Sequence, residues 1–358
     1  MLLATILIFL GLLLVLVLVH EWGHFIVAKK AGCTVEEFGF GFPPRVFGRM
    51  WHGTLYSLNL LPLGGFVKIQ GEDMDDPNPS ATSFASKSAP WRIAILCAGV
   101  AMNMLLAIVL LGIQSGLGSP TVVTNENRAR LTNIMTYVLE VAPDSPAAQA
   151  GLMQYDRIVR YADTQQPGVA DIQSLTKTHA GVPTTLEIER AGQHITLDIT
   201  ARANPPEGQG ALGISLGETG LHTTVWWKAP WEGAKRTWEM TVGITSQFAG
   251  LIQKLFQKES VGQVLTGPIG IAIYTREAAS LGISYFLEFA AMISINLAII
   301  NILPLPALDG GRVLFVIIEK AIGRRVPGKV ESYAHTTGFL LLIGLMIAIT
   351  FKDIARYF

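Results

Sequence analysis

His20-Glu21-Trp22-Gly23-His24 closes an apolar run that begins at Leu2 and continues through Val19. Extended to Ala28, the run exceeds the roughly 20 residues a helix needs to cross a bilayer, which predicts a first transmembrane helix. Residues four apart on a helix are separated by one turn and about 40°, so both imidazoles leave one face and can grip a single cation. Neutral imidazoles suit Zn2+. Two of them leave room for a third protein ligand and for a water whose proton Glu21 is placed to accept. Such polar groups at the edge of a membrane helix must face protein or a water-filled cavity. The alternative is a pair of histidines that merely marks where the helix meets the headgroups.

Composition points the same way. The chain has 358 residues, 50% hydrophobic and 15% charged, with a mean hydropathy of +0.41. These values describe a polytopic α-helical membrane protein rather than a disordered or ordinary cytosolic chain. Net charge is zero and no basic stretch suggests nucleic acid, so the expected surroundings are the lipid bilayer and partners within it. The two cysteines, Cys33 and Cys97, support neither a disulfide framework nor a thiolate metal site. The N-terminal run lacks a basic n-region and a convincing cleavage site, and is expected to be a retained helix.

Lys29, Lys30, Arg45, Arg49, Lys68 and Lys87 lie between the first apolar run and a second, Trp91 to about Gly118, which Arg92 enters. Positive residues mark the cytoplasmic side, which sets the N-terminus outside. Between the two runs, Gly39 to Pro44 is turn-rich, and 54–60 and 65–69 read as short strands joined by the turn Pro62-Leu63-Gly64-Gly65. A small membrane-associated hairpin or sheet is expected, with a plain loop as the alternative. The acidic run Glu72 to Pro77 reads as a solvated loop. Gly99, Asn103 and Ala107 in the second span suit close helix packing.

From Ser119 to about Leu221 the composition becomes that of a soluble α+β domain. Alternation predicts strands at 138–141, 157–161, 185–190 and 194–199, with helices at 145–151 and 169–179. Ala142-Pro143-Asp144-Ser145-Pro146-Ala147-Ala148-Gln149-Ala150-Gly151-Leu152, followed by Tyr155-Asp156-Arg157-Ile158, resembles the signature of bacterial PDZ domains. That resemblance implies capture of an extended peptide or a C-terminus by strand addition. Since the preceding helix runs outward, the domain is expected outside the cytoplasm. Residues 222–282 follow as an amphipathic membrane-surface segment. Trp226, Trp227 and Trp231 lie there among Lys228, Lys235 and Arg236, and a helix is expected over 237–256.

A third span, 283 to about 318, is broken by Asn301-Ile302-Leu303-Pro304-Leu305-Pro306-Ala307-Leu308-Asp309-Gly310-Gly311. Two prolines remove helix donors and the glycines relax the backbone. Asp309 is the acid of this stretch, and a carboxylate is the ligand type the histidine pair lacks. Helix capping is its other reading. A shorter fourth helix, 338–351, returns outward, so four spans are expected with both termini outside. The chain divides into 1–118 and 283–358 as two halves of one core, with 119–221 and 222–282 between them.

Taken together, these motifs resemble the site-2 protease family, the bacterial intramembrane zinc metalloproteases of the RseP type, over nearly the whole chain. The resemblance implies that His20, His24 and Asp309 hold Zn2+, that Glu21 is the catalytic base, and that Asn301 helps hold substrate or transition state. It implies a cytoplasmic (inner) membrane enzyme that cuts single-pass transmembrane substrates, such as anti-sigma factors or remnant signal peptides, after a first protease has acted. Many relatives carry two tandem PDZ domains, whereas 119–221 has room for one. A catalytically silent PDZ adaptor with structural zinc is the competing expectation. A transporter is a third, disfavoured because no inverted repeat is visible and Glu21 would be unexplained.

Overall fold

Helix α1 (Leu2–Lys30) runs straight through the His-Glu-x-x-His stretch. The structure, a computed structural model, describes residues 2–72, 80–190, 192–206, 208–257 and 266–357. It comprises two units: Met1–Gly112, Gly233–Arg276 and Leu287–Phe358 form one, Ile113–Glu232 and Glu277–Phe286 the other.

In the first unit α1 is followed by two long bent strands, β1 (Val35–Trp51) and β2 (Thr54–Ile69). Each folds on itself. Residues 37–40 pair with 65–68 on one side and with 55–58 on the other, while 45–51 pair back onto 54–59. The sequence of segments across the sheet is therefore 65–69, 35–40, 54–59 and 45–51. This corrects the expected hairpin, in which 54–60 and 65–69 were direct partners. Phe38-Gly39-Phe40-Gly41-Phe42 has the period of a strand, and its glycines disguise it as a turn. Gly39 is needed for close approach, because a Cβ there would stand 2.4 Å from the Phe66 ring. Phe38 and Tyr56 hold the sheet to α1 through the Phe25 ring, at centroid distances of 5.5 and 6.1 Å. Most of the acidic run lies outside the described residues.

Helix α2 (Ala89–Leu117) crosses α1 with almost no gap: a Cβ on Gly23 would sit 2.4 Å from the Ala98 carbonyl oxygen. Glycine lets two helix backbones meet where lipid offers no hydrophobic drive.

The second unit holds β3 (Ser119–Val122), β4 (Thr132–Val141), α3 (Pro146–Gln149), β5 (Arg157–Tyr161), β6 (Thr164–Gln165), α4 (Val169–Thr178), β7 (Pro183–Arg190), β8 (Gln193–Thr200) and β9 (Ile214–His222). They form an antiparallel sheet of order β3-β9-β4-β5-β7-β8, with β6 beside β5. Ser145 caps α3 by accepting the Ala148 N–H at 3.1 Å, as its sequence predicts. Val138, Ile158, Tyr161, Ile172, Leu186 and Ile188 fill the core, and each aliphatic member contributes about 1.5–3 kcal/mol by burial. Asp156 is buried and accepts from Arg190 Nε and Nη2, both at 2.7 Å, and from the Met153 N–H. That carboxylate raises the Arg190 guanidinium pKa, and in turn ties β7 to the loop after α3. Strand β9, beside both β3 and β4, was not anticipated. Its Gly217 and Gly220 break the apolar pattern because Leu139 of the neighbouring β4 and Leu131 just before it lie over them.

The chain continues through α5 (Ala229–Phe256), α6 (Pro268–Leu281), α7 (Ile283–Ile302), α8 (Asp309–Ile322) and α9 (Gly328–Tyr357). Helices α1, α2, α7 and α9 are long and apolar enough to cross a membrane. Three expectations change here. The third span ends at Ile302, with α8 a separate helix; α9 is 30 residues long rather than a short helix over 338–351; and α5 starts two turns before Thr237. The polar stretch Glu331 to Thr337 hid the start of α9.

Within the first unit, Met240 and Ile244 of α5 pack with Ala107 and Leu111 of α2 and with Ala291 and Ile295 of α7. Arg92 of α2 and Glu319 of α8 form a buried ion pair at 2.6 Å, which fastens the helix that begins at Asp309. Removing one partner of such a pair costs about 3–5 kcal/mol. Asp353, buried near the end of α9, accepts the Gly270 N–H at 2.9 Å and so caps α6.

Candidate metal centre

One turn of α1 presents His20 and His24 inward, both 8% exposed. Asp309 is the first residue of α8, and Leu308 before it occupies the cap position with extended φ and ψ. Asp309 is therefore not the capping residue. Its Oδ2 lies 3.1 Å from His20 Nε2 and 3.5 Å from His24 Nε2, and the two Nε2 atoms are 3.2 Å apart. No other cluster of three such side chains occurs among the described residues.

Hydrogen bonding shows what these atoms face. His24 Nδ1 donates to the Ile95 carbonyl at 2.8 Å, so the proton is on Nδ1 and the Nε2 lone pair points at the other two ligand atoms. Among the described residues, Asp309 Oδ2 is buried without a hydrogen-bond donor. Acceptor atoms this close repel unless a cation lies among them. A tetrahedral zinc with bonds of about 2.0–2.1 Å separates its donors by about 3.3–3.4 Å, which the observed triangle matches. The residues fit zinc.

A second layer holds the first. Asn103 of α2, fully buried, sits with its amide 3.4 Å from His20 Nδ1, and its Oδ1 has no partner among the described residues. With the amide turned, Oδ1 accepts the His20 Nδ1–H and frees Nε2, as Ile95 does for His24. Asn103 was read from sequence as packing; beside His20 it is also a ring partner. Its own carbonyl accepts from Ser294 at 2.8 Å. Asn301, at the end of α7, places Nδ2 3.5 Å from His20 Nε2.

Glu21 lines a cavity of about 460 Å³ together with His24, Asp309 and the 65–69 edge of the sheet. Gly65 lets that edge come in: a Cβ there would lie 3.3 Å from Glu21 Cγ. Arg312 and Glu72 form an ion pair on the cavity wall. The stretch Leu303 to Leu308 doubles back over the start of α8. Cβ atoms on Gly310 and Gly311 would fall 2.2 Å from the Ile302 and Leu305 carbonyls. These glycines serve close approach, not the loosening expected from sequence, since both are helical.

The family model for peptidase family M50 matches residues 8–345. The chain belongs to that family, the site-2 proteases. It is a zinc metalloprotease of the multi-pass membrane class. The zinc metalloprotease RasP of Oceanobacillus iheyensis is 32% identical, over 96% of this chain and 97% of its own. That of Geobacillus kaustophilus is 29% identical, over 96% of each chain. Sequence reasoning toward this protease read Gly99 only as a helix-packing position, whereas it lies against both metal-site rings, and it missed His335, which lines the cavity from α9. A histidine within a span is a functional candidate by default, so an α9 drawn from Gly328 would have exposed it.

Proposed function

We propose that this protease is an intramembrane endopeptidase of regulated intramembrane proteolysis, cutting the transmembrane segments of single-pass proteins such as anti-sigma factors or remnant signal peptides. The triangle of His20 Nε2, His24 Nε2 and Asp309 Oδ2 beside Glu21 carries the reading, because it combines a hydrolytic donor set with a helix of membrane length. His20, His24 and Asp309 would hold the zinc, which when bound would supply a Lewis acid for the scissile carbonyl and a lowered pKa for the attacking water. Glu21 takes the proton of that water and returns it to the leaving amide nitrogen. Asn301, directed at the same point, donates to the carbonyl oxygen as negative charge develops on it.

A helical substrate hides its peptide bonds, so the segment has to be extended first. The 65–69 edge offers backbone groups on the cavity wall and holds the substrate as an added strand. The second unit is a PDZ module. The 214–217 stretch of β9, which lies beyond its pairing with β3, and α4 flank a groove lined by Ile172, Thr176, Lys177, Arg202, Leu212 and Ile214, suited to a peptide or a C-terminus. Positive residues after α1 and α8 support a bacterial cytoplasmic membrane location with both termini and this module outside.

The test is to map the cut in a purified single-pass substrate by mass spectrometry. A bond inside the transmembrane segment, uncut by Asp309→Ala, supports the reading; cuts confined to soluble flanks contradict it.

A further inference from the structure

The metal-site reading leaves one half-buried histidine unused. His335 lies on α9, the fourth span, and lines the same cavity as Glu21, His24 and Asp309. Its Nδ1 accepts the Ala307 N–H at 2.8 Å. Ala307 has φ +76°, a left-handed conformation that costs a residue with a Cβ, and it stands two positions before Asp309. Because Nδ1 accepts, the ring proton is on Nε2, which lies 3.9 Å from Glu331 Oε1 one turn earlier on α9. The ring is also wedged against Phe315 of α8, with centroids 5.7 Å apart.

α9 is shaped to be here. A Cβ on Gly338, three residues after His335, would stand 2.6 Å from the Pro306 carbonyl oxygen, so only glycine admits the turn this close. Pro304 and Pro306 have no N–H, and the strained amide of Ala307 needs an acceptor at a depth where water is scarce. His335 supplies it.

We propose that His335 is a positioning residue of the metal site: through its Nδ1 it fixes the left-handed turn at Ala307 and so sets where Asp309 meets the two histidines. The fourth span is then part of the site and not only a lipid-facing wall. This rests on the assignment of Asp309 as a ligand.

The experiment compares His335→Asn, His335→Gln and Asp309→Ala in the full-length protein in detergent. Zinc affinity is read by competition with a chelating dye and cleavage by kcat. The Asn side-chain oxygen falls near the place of Nδ1, and that of Gln near Nε2. His335→Asn should bind zinc nearly as well as the unmodified protein, and His335→Gln about tenfold more weakly, with kcat falling in parallel. Equal affinities for the two variants would overturn the proposal, whether both are weakened or neither is. If Asp309→Ala weakens zinc and His335→Gln does not, only the role of His335 falls. If Asp309→Ala leaves zinc affinity unchanged, the ligand assignment falls and this proposal with it.

Discussion

Gly99 of α2 stands directly against His24: a Cβ on it would lie 2.3 Å from the His24 Nε2 and 2.7 Å from the His20 Nε2. The second span thus touches the metal point itself, and the missing side chain is what leaves that point open. Gly99→Ala should drive a methyl group between the two nitrogens and lower zinc affinity by at least about tenfold, measured by chelator competition. A variant that bound zinc normally would show that the rings do not converge as described.

Asn103, one turn further along α2, is expected to act through the His20 ring. Asn103→Leu removes the acceptor for Nδ1–H and should weaken zinc about tenfold, while Asn103→Asp, whose carboxylate also accepts, should retain it. Loss in both variants, or in neither, would reduce Asn103 to a packing residue.

Single proline substitutions at Phe66, Val67 and Lys68 each delete one N–H from the 65–69 edge. Along a strand these groups alternate between the paired and the open side. Cleavage of a transmembrane substrate should fall while zinc is retained at the position whose N–H faces the cavity. Unchanged cleavage in all three variants would end the strand-addition account.

How much of this was legible in the sequence follows from the range of each signal. His20, Glu21 and His24 lie within five residues on one helix, and the break around Asp309 shows itself through two prolines, so these needed no knowledge of tertiary contacts. The order of segments in the β1–β2 sheet was not legible, because Phe38, Phe40 and Phe42 alternate with glycines required by close neighbours elsewhere in the sheet, the Phe66 ring over Gly39 and the Leu61 backbone over Gly41. Strand β9 was lost for the same reason, through Gly217 and Gly220. Gly99 and Asn103 could be recognised as small and polar residues facing a neighbour, but only the fold shows that the neighbour is the histidine pair. His335 was obscured by a helix start that charged and hydroxyl side chains disguise.

The central claim is that zinc held beside Glu21 serves hydrolysis. It is tested most directly by measuring zinc content and transmembrane-peptide cleavage in the unmodified protein and in Glu21→Gln. Glu21 is not among the three clustered donors, so the variant should keep stoichiometric zinc while cleavage falls about 10²–10⁴-fold. Cleavage undiminished in Glu21→Gln would contradict the account and leave the zinc with a structural role.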